Sequence, residues 1–82
     1  MTPQHDHVRE IRGDQTVREV RDSAAEILAA VGAIKLRRIA LFRATRWAAI
    51  ATGAYPDDPD HAAIRWVRAT EWLRIGRSLP RQ

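Results

Sequence analysis

From Val17 to Ala48 the chain places mostly apolar or small residues three and four apart: Val17, Val20, Ala24, Ile27, Val31, Ile34, Arg38, Leu41, Thr45 and Ala48. Such a row lies along one side of an α-helix, whereas a strand presents every second residue to the same face. The spacing predicts an all-α protein whose first helix runs from about residue 16 to 52, with Thr16 and Glu19 at capping-box positions. Asp58 stands as a cap before Pro59 and Asp60, which predicts a second helix over about 59–76. Gly53 and Gly76 stand where left-handed helix terminators are expected. The segment Gly53 to Pro59 reads as a tight turn, so the two helices should form an antiparallel hairpin.

Gly32 interrupts the first helix. In a helix interior it costs about 1 kcal/mol relative to Ala, so it either kinks one long helix or divides it into two, at 16–31 and 33–52. Ahead of the seam, residues 1–14 read as a polar arm closed by Gly13-Asp14, with a short helix available after Thr2-Pro3. Residues 15–78 then make one helical domain and 79–82 a tail.

With 82 residues, folding buries only about 60 to 65% of the unfolded surface, so the core must be thin. There is no cysteine, which removes disulfides as a support and leaves helix packing or a partner subunit. Hydrophobic residues at 45% make the chain too apolar to remain disordered. The helices carry more apolar surface than one antiparallel pair covers. Leu36, Ile39, Trp47 and Ile50 form a second line on the first helix; the second helix presents Ala63, Trp66, Thr70 and Leu73, and a further strip of Ile64, Val67 and Ile75. That excess predicts a homo-oligomeric helical bundle, most simply a dimer, joined through Val20, Ile27, Val31, Ile34 and Leu41. The alternative is a monomer in which a bend at Gly32 folds the first helix back over the hairpin.

The charge is unevenly distributed. Residues 1–34 carry a net −2, 35–56 carry five cations and no acid, 57–60 hold three Asp, and 61–82 carry a net +4. Lys35, Arg38, Arg43 and Arg46 share an arc of the first helix, and an antiparallel hairpin brings Arg65 and Arg68 alongside. Such a surface binds phosphate backbones through charge alone, so these six residues are the expected nucleic-acid contacts. Trp47 and Trp66 fall on apolar faces and are expected in the core. Trp72 projects between Arg65 and Arg68, which makes it the expected exposed anchor of a protein contact, with Arg74, Ile64 and Ile75 beside it.

No nucleophile stands in a recognisable frame, and there is no Gly-rich phosphate loop and no His-Glu-x-x-His, so the expectation is a non-enzyme without cofactor. His5-Asp6-His7 has metal-ligand residue types but too few ligands for a specific site, and no metal is expected. Asp57, Asp58 and Asp60 are explained by the turn and the helix start. The most apolar window, Ala44 to Tyr55, is too short to span a bilayer and contains Arg46, and no secretory signal opens the chain, so a cytoplasmic location is expected. The leading expectation is an oligomeric interaction protein whose basic hairpin binds nucleic acid. The alternatives are an adaptor or inhibitor that docks an acidic protein surface through its apolar and Arg/Trp face, and a structural subunit of a larger assembly.

Overall fold

A computed structural model describes residues 3–54 and 58–81, and the side chains among them except at 3–10 and 54. Its elements are three helices, α1 (Pro3–Val31), α2 (Ala33–Ala54) and α3 (Pro59–Ser78). No strand occurs among the described residues. The all-α expectation holds; the single long first helix does not.

Gly32 is the reason. It has φ +86°, a left-handed conformation in which a Cβ clashes with the backbone, so only glycine holds it without strain. Its amide still donates to the Leu28 carbonyl at 2.9 Å, closing α1, and its own carbonyl accepts from the Leu36 amide at 3.0 Å, opening α2. One residue thus ends one helix and starts the next. α1 turns back over the hairpin and packs mainly on α3, while α2 and α3 make the largest interface.

The predicted seam is cut at this point. Val20 and Ala24 are buried, but Val31 and Ile34 stand 41% and 44% exposed, and Arg38 is exposed as well. In α2 the inward row is Leu36, Ala40, Ala44 and Ala51, with Trp47 half-buried beside it. The inward row of α3 is Ala62, Ala69, Trp72 and Gly76. Alanines and a glycine therefore face each other, small side chains that allow helices a close approach. A Cβ placed on Gly76 would lie 2.7 Å from Leu41 Cδ2 and 3.5 Å from Ala40 Cβ.

The helix punctuation is partly corrected. Asp58 caps α3, accepting from the His61 amide at 3.1 Å, with Pro59 in the first turn. That hydrogen bond holds the Asp58 carboxyl below its ordinary value. Thr16 is not a cap. α1 starts at Pro3 and runs through Gly13, so the expected arm is helical from there, and the buried Thr16 hydroxyl donates to the Arg12 carbonyl at 2.9 Å. Gly53 and Gly76 lie inside helices and terminate neither. In the expected turn, residues 55–57 lie outside the described residues. Leu79, expected in the tail, packs against the core.

Candidate binding surface

α2 carries five cations and no acid, all five between Lys35 and Arg46, so its solvent side is positive over its first two-thirds. At 3.6 residues per turn, Lys35, Arg38, Phe42, Arg46 and Ile50 fall on neighbouring positions of one face. All five are exposed, Phe42 the most among the large apolar side chains at 65%. Lys35, Arg38 and Arg46 enter no ion pair among the described residues, so their charge is available to a partner.

The other expected phosphate contacts are placed differently. Arg43 turns inward and stacks over the Trp72 ring, 4.9 Å from its centroid. Arg68 stacks over Trp47 at 4.5 Å and pairs with Glu19 of α1 at 3.4 Å. Each guanidinium lies over a ring, a cation–π contact worth about 0.5 to 1 kcal/mol at a partly exposed site. Arg43 and Arg68 therefore hold helices together, and Arg65 is half-buried. The basic group splits into an outward set on α2 and an inward set that stacks on rings.

The expected protein-contact residues are corrected more sharply. Trp72 is 2% exposed and belongs to the core, whereas Trp66, expected inside, is 45% exposed. Ile64 and Ile75 are half-buried, Ile75 against the core. Arg74 is exposed but engaged: its guanidinium holds the Glu71 carboxylate, which also accepts from Arg21 Nε at 3.1 Å. Glu71 is only 6% exposed, so the two arginines neutralise a carboxylate carried into the α1–α3 contact. Their hydrogen bonds, Arg74 first, hold its carboxyl below the ordinary value despite burial. Arg74 in turn is held above its own ordinary value by Glu71.

Of the expected oligomer contacts, Val20 lies in this chain's own core, and Ile27 is half-buried against it. Leu41 is half-buried, and Val31 and Ile34 remain open. Sequence reasoning did not select Phe42 as a site residue, although its cationic neighbours at i−4 and i+4, Arg38 and Arg46, signal an exposed aromatic.

A small cleft of about 180 Å³ is lined by Glu19, Val20, Ser23, Arg43, Arg68 and Trp72. It has the residue types for an anionic nucleotide, but the Glu19 carboxylate in its wall opposes one. Among the described residues no group of three His, Asp or Glu is placed to hold a metal, and His5-Asp6-His7 lies outside the described side chains. Among the same residues no helix is long and apolar enough to cross a membrane. No protein-family model, curated protein or solved structure matches this chain.

Proposed function

We propose that this protein is a non-enzymatic, homo-oligomeric interaction protein that binds nucleic acid along the outer face of α2. The observation that carries this reading is the trio Lys35, Arg38 and Arg46, without an ion pair among the described residues and set around the exposed Phe42 on a helix without acids. Each cation that meets a phosphate releases condensed counterions, which drives association without a sequence motif. An aromatic ring between them offers a base its face, a contact worth about 1 to 3 kcal/mol where the strand is single. A single strand can present phosphates and an unstacked base together, so it suits this face better than a duplex. The adaptor reading loses its expected anchor, because Trp72 is enclosed.

The test is titration of a fluorescent single-stranded oligonucleotide at several salt concentrations. Three phosphate contacts should give a slope of about −2 in log K against log salt. Arg38→Glu with Arg46→Glu should abolish most binding while leaving the helical circular dichroism unchanged. Phe42→Ala should weaken binding about tenfold with the slope retained. Binding that ignores salt, or survives the double reversal, would refute the proposal.

A further inference from the structure

Residues 27–34, Ile-Leu-Ala-Ala-Val-Gly-Ala-Ile, contain no charged group and form the elbow between α1 and α2. Most of this run faces solvent. Leu28, Val31 and Ile34 are 44%, 41% and 44% exposed, and Ala29 and Ala30 are exposed with them. Val31 follows Ile27 by one turn, on the side of α1 that buries Val20 and Ala24, yet it stands open. The last turn of α1 therefore overhangs the end of the hairpin. The left-handed Gly32 then turns the chain within one residue, so the three large apolar side chains project from that end of the molecule.

Four cations surround this tip. Lys35 adjoins the run and Arg38 lies one turn further along α2, both exposed. Arg77 and Arg81 reach the same end because α3 runs antiparallel to α2, with Gly76 seated against Ala40 and Leu41 and Leu79 packed on the core that holds Leu36. Both are exposed, and none of the four enters an ion pair among the described residues. Glu26 is the only acid between residues 23 and 38, and no acid follows Glu71. The tip is thus apolar at its point and basic around it.

Shape and charge together select the partner. Sites for small ligands are concave, whereas this apolar surface is convex, and a phosphate backbone has nothing to offer Leu28 or Val31. A bilayer surface accepts apolar side chains to a depth of about 5–10 Å and presents anionic headgroups to the cations beside them. We infer that the Gly32 elbow docks on anionic lipid membranes, Leu28, Val31 and Ile34 entering the interface while Lys35, Arg38, Arg77 and Arg81 meet the headgroups. The chain then lies on the membrane without crossing it. This surface is additional to the outer face of α2 and shares with it only Lys35 and Arg38, so Arg77 and Arg81 are the cations that report on it alone.

The experiment is co-sedimentation of the full chain with vesicles of phosphatidylcholine alone and of its equal mixture with phosphatidylserine, at several salt concentrations. The wild type should bind the anionic vesicles, release them as salt rises, and leave the neutral ones unbound. Leu28→Ser, Val31→Ser and Ile34→Ser together, all at exposed positions, should weaken binding about hundredfold, with the oligonucleotide affinity unchanged. Arg77→Gln with Arg81→Gln should weaken it about thirtyfold. The chain has no cysteine, so a polarity-sensitive dye can be placed singly. On Val31→Cys its emission should shift to the blue with anionic vesicles, and on Thr52→Cys, at the far end of α2, it should not. Anionic binding that survives the triple serine change, or leaves the dye at position 31 in water, belongs to the charge of α2 alone and overturns the inference. Equal affinity for neutral vesicles overturns it as well. No affinity for anionic vesicles at low salt also overturns it and assigns the tip to a groove on a protein partner. Should the triple variant lose its helical signal, the dye positions and the arginine pair decide.

Discussion

At Glu71 a carboxylate enters the α1–α3 contact because two guanidinium groups enter with it. Arg74, then Arg21, hydrogen-bond the ionised form and hold its pKa below the ordinary 4.5. A depressed carboxyl stabilises the fold above its unfolded pKa, and that contribution disappears as pH falls through the folded value. Glu71→Gln should therefore lower stability by about 1 to 2 kcal/mol at neutral pH. In urea melts the two proteins should converge in acid, below the carboxyl's depressed pKa. A gap that stays constant with pH would assign the loss to packing alone. The residues hardest to read were those where arginine meets tryptophan. On a helical wheel Trp72 lies between two arginines and reads as exposed, but arginine does not mark solvent here. The Arg43 guanidinium lies over the Trp72 ring, and an arginine's apolar stem can cover apolar surface while its charged head reaches solvent. Trp66 was misread for the complementary reason: bulk drew attention to its row, while the helices meet through the smaller Ala62, Ala69 and Gly76.

Helix identity and the start of α3 were legible, since periodicity and the Asp58-Pro59 cap are local signals. The division at Gly32 was legible only as an alternative, because both helices are amphipathic and their seams join in step on paper. What separates them is one positive dihedral, which no periodicity records. The glycines consequently predict opposite outcomes for one substitution. Gly13→Ala meets nothing within 4 Å inside α1 and should stabilise by up to about 1 kcal/mol. Gly32→Ala also meets open space but must adopt the left-handed conformation, at a cost of about 1 to 2 kcal/mol. Gly76→Ala drives a methyl into Leu41 and should destabilise by about 1 to 3 kcal/mol. Chemical denaturation of the three variants checks the order; a Gly32→Ala protein as stable as wild type would mean that α1 need not fold back.

At the scale of the molecule, charge and burial are segregated. Acids of α1 and α3 are drawn to arginines between the helices, as in Glu19–Arg68 and Glu71–Arg21, and α2 is left with cations alone. The asymmetry was legible in the segment charges; which cations face outward was not, because that depends on where the tryptophan rings come to rest. The proposed homo-oligomer would make melting depend on concentration. Tenfold dilution should then lower the Tm measurably, and a Tm independent of concentration would refute self-association. The alanine-lined seam between α2 and α3 has one more effect. Alanine and glycine have no side-chain rotamers to lose, so closing that seam costs almost no side-chain entropy, whereas each Lys or Arg fixed in place forfeits about 2 kcal/mol. Disorder is thus removed in two instalments: the alanine row closes with little freedom to lose, and the outward cations Lys35, Arg38 and Arg46 keep theirs until a partner arrests them. Recognition on this face should accordingly set the entropy gained by released counterions against the freedom these side chains give up.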